Sequence, residues 1–280
     1  MGQPPESLQL EERLRRGSEG WRHRLALIEA AELSWFVGDR VSADRLTLWI
    51  AQRLSGAQED TSALSRVGWA VRRLTGGPGP EASLADFLDR RDPENVAEDT
   101  ERFTDRADTW RDLMTTAHHL HPISRACVGF QFWDLAGLGK NGDRMEAAVT
   151  AARIAVVEAK GAVFAPVAMG EAGGLGLGDT PVERLGRWLD GIGSATLKAK
   201  RHLDAVAAWA ARAQSVMAPS SGRTAPALFA VLTEWPLVSA PIAEAPTGVM
   251  SAAVQRNLAW MEAQGLMGTS KNCSDLRAAV

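Results

Sequence analysis

Three consecutive polar side chains near the C-terminus, Gln255, Arg256 and Asn257, could form paired hydrogen bonds with the edges of nucleic-acid bases. Glutamine and asparagine amides match the major-groove edge of adenine, and the arginine guanidinium matches that of guanine. A helix through this stretch would expose them on one side, so the segment is chemically able to read double-stranded DNA. The candidate contact residues are Ser251, Ala252, Gln255, Arg256, Asn257 and Lys271.

These side chains, except that of Lys271, lie in a segment that has the pattern of two helices joined by a turn. It runs from Pro241 to Met267 and reads PIAEAPTGVMSAAVQRNLAWMEAQGLM. Ser239 suits the N-cap of the first helix, and Pro246-Thr247-Gly248 suits the turn. The second helix is predicted over Met250 to Gln264, and Gly265 ends it. Its apolar residues recur at steps of four and three, as a core-facing stripe does: Val254, Leu258 and Met261.

A third helix, predicted over Ala227 to Trp235, precedes this pair, and three such helices form the core of a helix-turn-helix domain. Residues 220–280 carry four basic and four acidic side chains, a net charge of zero. Because phosphate contacts supply most nonspecific affinity for DNA, an isolated copy is expected to bind weakly, so either a homodimer or the Arg-rich N-terminal region would have to contribute. The alternative is a winged-helix-like module used only for packing or dimerisation. The tail GTSKNCSDLRAAV is short for a wing and has little strand character.

Composition indicates an all-α protein of 280 residues without a strong electrostatic bias. The net charge of −3 excludes a surface that attracts polyanions everywhere. Two distant cysteines, Cys127 and Cys273, give no disulfide framework, which fits a reducing cytoplasm. The N-terminus has no secretory signal, and the longest apolar run, 147–157, is interrupted by Arg153 and is far too short for a membrane span. We therefore expect a cytoplasmic protein with no membrane partner and no cofactor.

The periodicity of apolar residues divides the rest of the chain into helices and predicts three regions. Residues 1–110 form an N-terminal helical region that ends in a densely charged helix-loop or linker from Leu84 to Trp110. Residues 111–217 form a helical core, and residues 218–280 form the helix-turn-helix domain. Thr180-Pro181-Val182-Glu183 is a capping box that opens a long helix, with a break expected at Gly191-Ile192-Gly193. The other predicted helices are Trp21–Val37, Ser42–Leu54, Ser62–Leu74, Leu113–Leu135 and Glu146–Lys160, the second and third opened by a capping serine.

The C-terminal part of the chain resembles the helix-turn-helix of an alphaproteobacterial family that is often plasmid-encoded in rhizobia and their relatives. The segment that carries this resemblance is GRTAPALFAVLTEWPLVSAPIAEAPTGVMSAAVQRNLAWMEAQGL. In that family a helical domain of unknown function precedes the DNA-binding-type module. The upstream segments FAPVAMGEAGGL and TPVERLGRWLDGIGSATLKAKRHLDAVAAW fit the same family, so the resemblance covers most of the chain. It implies a transcriptional or plasmid-associated DNA-binding regulator.

The order of parts is also similar to that of Fic (filamentation) proteins, in which a helical core precedes a winged-helix module. Active members carry a loop of the form His-Pro-Phe-x-Asp/Glu-Gly-Asn-Gly-Arg, which binds Mg²⁺ and the nucleotide phosphates. Here His121-Pro122 is followed by ISRACVGF, with no acidic residue, and the partial match GKNGDR, Gly139 to Arg144, lies downstream. The alternative function is therefore a degenerate Fic-type nucleotide binder using His121, Asn141 and Arg144, for which AMP transfer is not expected.

Other residues with potential chemistry fit structural roles better. His118, His119 and His121 lie near Cys127, but adjacent helical positions point about 100° apart and no second ligand cluster accompanies them, so no metal site is expected. The Gly-rich segment MGEAGGLGLGDTPVER lacks the preceding strand and the Lys-Ser/Thr pair of a nucleotide loop. The sequence therefore argues against an enzyme, and the second alternative is a protein-interaction scaffold.

Overall fold

The computed structural model describes residues 5–17, 19–51, 60–90, 97–139, 144–159, 161–176, 178–217, 224–269 and 276–278, and it is predominantly helical. The all-α fold class is thereby confirmed. The first eight helices are α1 (Pro5–Arg16), α2 (Glu19–Phe36), α3 (Ala43–Ile50), α4 (Thr61–Thr75), α5 (Leu84–Phe87), α6 (Ala97–Thr116), α7 (Pro122–Gln131) and α8 (Met145–Ile154). The remaining elements are α9 (Pro181–Met217), α10 (Thr224–Glu234), α11 (Ala240–Thr247), α12 (Ser251–Ala263), β1 (Met267–Thr269) and β2 (Leu276–Ala278).

Serine caps were predicted for both α3 and α4, and of these two helices only α3 has a serine cap in the structure. Ser42 caps α3 as predicted, and its hydroxyl accepts a hydrogen bond from the backbone N–H of Arg45 at 3.3 Å. The predicted serine cap of α4 was wrong, because Asp60 occupies that position. Its carboxylate accepts from the N–H groups of Ser62 and Ala63 at 3.1 and 3.0 Å, and satisfies two donors that the helix itself leaves free.

Helix α9 is a single uninterrupted helix of 37 residues. It opens with the predicted capping box, in which Thr180 and Glu183 exchange backbone-to-side-chain hydrogen bonds of 3.1 and 3.2 Å. The predicted break at Gly191–Gly193 is absent. Gly191 instead allows a close approach, since a Cβ there would lie 2.4 Å from the Cα of Gly174 in the 3₁₀ turn Gly173–Leu175.

The charged stretch predicted as a helix-loop or linker packs partly on the core. Its last part lies in α6, where Phe103, Ala107 and Trp110 are buried at steps of four and three. The indole N–H of Trp110 donates to the carbonyl oxygen of Gly129 at 3.1 Å. Residues 91–96, also within the predicted linker, lie outside the described part of the chain.

Helix α2 lies in the middle of the main core and packs against α3, α4 and α10. A continuous cluster of buried apolar side chains extends from Leu10 to Leu203, and a second cluster extends from Trp209 to Met267. Helix α9 contributes to both clusters, so it joins the N-terminal body to the C-terminal elements. Among the described residues, no helix is both long enough and apolar enough to cross a membrane.

Glu29, on α2, is fully buried and holds a loop against the main core. One oxygen of its carboxylate accepts from the N–H groups of Val167 and Ala168 at 2.7 and 2.8 Å, and the other accepts from that of Met169 at 3.0 Å. Burial raises the pKa of Glu29 to about 7, and the three N–H bonds act in the opposite direction. The carboxyl group thus satisfies three buried backbone donors that have no partner in a helix or strand.

Candidate nucleic-acid interface

The C-terminal module, defined here as α10, α11, α12, β1 and β2, positions the candidate contact residues. Ser239 caps α11 as predicted, its hydroxyl accepting from the N–H of Ile242 at 3.4 Å. Gly248 ends α11 with a φ of +62°, a left-handed conformation that favours glycine. Residues 248–250 then connect α11 to α12. The chain therefore turns between these two helices within three residues.

The predicted core stripe of α12 is buried. Val254, Leu258 and Met261 are at most 4% exposed and pack in the second cluster, which also contains Leu228 and Leu232 of α10. This burial fixes the orientation of α12, because the side of the helix opposite the stripe must face solvent.

Trp209 of α9 anchors the module to the rest of the protein. It is 2% exposed, and its indole N–H donates to the carbonyl oxygen of Leu266 at 2.7 Å. Its ring stacks nearly parallel to that of Phe229, with 5.7 Å between the centroids. Trp209 was not among the residues predicted from the sequence. The signal that could have found it is its spacing of three and four residues from the buried Val206 and Ala213.

The C-terminal tail differs from the prediction because it contains two paired strands. Met267–Thr269 pairs antiparallel with Leu276–Ala278, so a hairpin follows α12 directly. Strands of three residues are too short to show alternation in the sequence, and their stability depends on the partner strand. Lys271 belongs to 270–275, which lies outside the described residues, and so does the side chain of Ser251.

The solvent-facing side of α12 carries three of the predicted contact residues. Ala252, Gln255 and Arg256 are exposed, and Ala259, one turn further along, is exposed on the same side. At about 100° per residue, these four positions lie within an arc of about 100°. The side chains of Gln255 and Arg256 therefore project from this side of α12 next to two alanines.

Asn257, also predicted as a contact residue, does not belong to that face. It is half-buried, and its side-chain amide donates to the carbonyl oxygen of Ala253 at 2.8 Å. This bond to the backbone four residues earlier uses one of the two amide N–H donors and holds the side chain against its own helix. The sequence could not distinguish Asn257 from Arg256, because neighbouring polar residues on a helix look equivalent until the packed face is known.

The charge of the module is unusual for a surface that contacts phosphates. The described residues of the module, 224–269 and 276–278, carry two arginines, Arg256 and Arg277, and three glutamates, so their net charge is −1. Contacts to phosphates from this stretch are therefore few, and discrimination must come from base edges.

His121 and Arg144, two residues of the nucleotide-binding alternative, lie near opposite ends of α7. His121 caps the start of α7, and its Nδ1 accepts from the N–H of Ile123 at 3.3 Å. Arg144 lies over the ring of Phe130, 4.1 Å from its centroid, near the other end of that helix. Phe130 follows His121 by nine positions, a distance of about 14 Å along the helix axis. Asn141 lies outside the described residues.

Histidine and cysteine side chains do not form a metal centre in the described part of the chain, where no group of three potential ligands is found. His118 and His119 are exposed, and their Nδ1 atoms lie 2.7 and 2.9 Å from the carbonyl oxygens of Thr115 and Thr116. Cys127 is buried, and desolvation raises the pKa of its thiol to about 11. The other cysteine of the chain, Cys273, lies outside the described residues.

A buried arginine joins the module to the N-terminal body. Arg24 of α2 donates from Nη1 to the carbonyl oxygens of Leu232 and Trp235, at 3.1 and 2.9 Å, and from Nε to Nε2 of His202 at 3.0 Å. Burial lowers the pKa of Arg24 to about 10, so it remains charged at neutral pH. Burial and the adjacent guanidinium lower the pKa of His202 to about 4, so its ring is neutral and accepts the bond.

A second contact at this junction lies one residue earlier on α2. Nδ1 of His23 is 2.8 Å from a carboxylate oxygen of Glu234, and the His23 ring meets the Trp235 ring edge to face. Gly20 lets the helices approach, since a Cβ there would lie 2.9 Å from that of Glu234. This contact could not be predicted from the sequence, because more than 200 residues separate His23 from Glu234 and Trp235.

Comparison with known proteins leaves the site to be interpreted from its geometry. No family model matches the chain, and no curated protein matches it.

Proposed function

We propose that this chain is a DNA-binding regulator, transcriptional or plasmid-associated, that reads double-stranded DNA with its C-terminal module. In this proposal α11 and α12 form a helix-turn-helix on α10, and β1 and β2 form a short wing. The observation that carries the proposal is the solvent-facing side of α12, where Gln255 and Arg256 project next to Ala252 and Ala259. Helix α12 is the recognition helix.

The chemistry of this face suits base edges in a major groove. Gln255 offers an amide for adenine, and Arg256 offers a guanidinium for guanine. The methyl groups of Ala252 and Ala259 leave room for the helix to approach the bases, and alanine also contacts the methyl group of thymine. Three or four side chains at base edges are the usual number for one such helix.

In this proposal the N-terminal body brings two modules together on one duplex. The described residues of the module have a net charge of −1, so one copy gains little from phosphates. Two copies on one duplex double the base contacts without requiring a basic surface. The helical body, joined to the module through Arg24 and Trp209, would hold two modules at a fixed spacing.

The experiment that tests the proposal selects duplexes from a random library with the full-length protein and measures their binding by fluorescence anisotropy. We expect a selected duplex to bind roughly 10³-fold or more tightly than a scrambled one at physiological salt. We also expect a shallow dependence on salt, because few phosphates are neutralised. Failure to enrich any sequence at low salt, with protein at micromolar concentration, would contradict the proposal.

A further inference from the structure

Helix α9 carries an apolar stripe on its solvent side. Val182 is 81% exposed, Leu189 is 42% exposed, and Leu185 and Leu197 are each 37% exposed. Exposed leucines are common singly, but a row of four large apolar side chains beside the buried side of one helix is not. The stripe therefore has the character of an interaction surface.

The spacing of the stripe is that of a helix-packing surface. At about 100° per residue, Val182, Leu185, Leu189, Gly193 and Leu197 lie within an arc of about 120°. From the first to the last the stripe is about 22 Å long. Gly193 forms a notch in it, because a Cβ built there would meet no atom within 4 Å.

The stripe is complementary to itself when a second copy runs antiparallel. With the twofold axis at the level of Gly191, Leu185 of one copy lies opposite Leu197 of the other. In the same register, Leu189 lies opposite the notch at Gly193. Large side chains then meet small ones near the axis, as close helix packing requires.

Charges beside the stripe favour the same arrangement. Glu183 and Arg201 are eighteen residues apart, which is about five full turns, so they lie on the same side of α9. In the antiparallel register each lies within about 3 Å, along the axis, of the position opposite its counterpart in the second copy. In a parallel pair the copies of Glu183 and Arg201 would lie on opposite sides of the interface and at different heights, so this ion pair would not form.

We infer that the α9 stripe is the interface of an antiparallel homodimer of this chain. Each copy contributes Leu185, Leu189 and Leu197 to the interface and exchanges a Glu183–Arg201 ion pair with the other. Asp190 lies near the axis on the same side as these charges, so the two copies of Asp190 approach each other and oppose association. The inference deepens the proposed function by supplying the dimer that carries two recognition helices, although dimerisation is measured without DNA.

Sedimentation equilibrium of the full chain tests the interface. We expect a concentration-dependent dimer, and we expect Leu189→Asp to weaken dimerisation at least 100-fold because it places a charge against the notch. Leu135→Asp, at a leucine that is 76% exposed outside α9, is the matched control and should not change the dissociation constant. Circular dichroism checks that both variants remain folded. A monomeric wild-type protein, or equal effects of the two substitutions, would overturn the inference.

Charge exchange tests the register independently. Glu183→Arg and Arg201→Glu should each weaken the dimer about tenfold, and the double variant should recover most of that loss. Glu183→Arg also removes half of the capping box, but the double variant keeps this defect, so recovery reports the ion pair. Asp190→Asn should tighten the dimer. Additive losses in the double variant would overturn the inference.

The two proposals fail separately. A wild-type chain that selects DNA but sediments as a monomer would overturn the dimer interface and leave the proposed function standing. A dimer that Leu189→Asp dissociates, but that enriches no DNA sequence, would overturn the proposed function and support the interface.

Discussion

A full-length variant that carries Gln255→Ala and Arg256→Ala is expected to bind its selected duplex no more tightly than a scrambled one. Each paired contact to a base contributes roughly 1–3 kcal/mol of discrimination, so losing two in each module removes most of the preference. Both side chains are exposed on α12, and alanine favours helix formation, so the fold should not change. Fluorescence anisotropy with both duplexes measures the ratio of dissociation constants.

The matched control for this variant is Arg111→Ala. Arg111 is also exposed on a helix, where it pairs with Asp108, and its loss changes the net charge by the same single unit as that of Arg256. The control should keep the full preference for the selected duplex. If the α12 variant also keeps it, α12 does not read the bases.

Replacing Glu29 with glutamine should lower the free energy of unfolding by roughly 2–4 kcal/mol. Glutamine keeps one acceptor oxygen, so its amide nitrogen faces at least one of the N–H groups of 167–169, and each buried donor left without a partner costs about 1–3 kcal/mol. Urea denaturation measures the loss. Glu32→Gln, one turn later on α2 at a half-buried position, is the control and should change stability by less than about 0.5 kcal/mol.

The same variant changes how stability depends on pH. The pKa of Glu29 is raised from 4.5 to about 7 in the folded protein, so its contribution is fully present below pH 4.5 and is lost as the pH rises through 7. The pKa of His202 is lowered from 6.5 to about 4, so its contribution is present above pH 6.5 and is lost as the pH falls toward 4. The two effects oppose each other between pH 4.5 and 6.5.

Glu29→Gln removes one of these opposing effects. The variant should therefore lose stability more steeply than the wild-type protein when the pH is lowered from 6.5 to 5, because the titration of His202 is no longer offset. Urea denaturation at several pH values measures both slopes. Identical slopes for the two proteins would show that Glu29 does not titrate in this range.

Features that depend on neighbouring residues could be read from the sequence. The Thr180–Glu183 capping box, the Ser239 cap and the buried stripe of α12 all form within one or two helical turns. Their patterns are therefore complete in a short window. The cap of α4 was misassigned within such a window because Asp60 and Ser62 are both good capping residues, and the choice depends on where the helix begins.

Features that depend on distant partners could not be read in the same way. Glu29 and Arg24 look like ordinary charged residues of an amphipathic helix, yet their partners lie 138 to 211 residues away. Gly191 looks like a helix breaker until the Gly174 backbone is placed against it. Within the candidate site, the half-buried Asn257 can be distinguished from the exposed Arg256 only when the buried side of α12 is known.

Contact between α12 and DNA is the central claim, and site-specific photo-crosslinking tests it most directly. A photoreactive amino acid placed at Ala252, exposed and small, should crosslink to the bases of a selected duplex in the full-length protein. The same group at Ser65, exposed on α4, should give no crosslink. We expect crosslinks from position 252 with the selected duplex and none with a scrambled duplex. A selected duplex that crosslinks from position 65 and not from 252 would contradict contact between α12 and DNA.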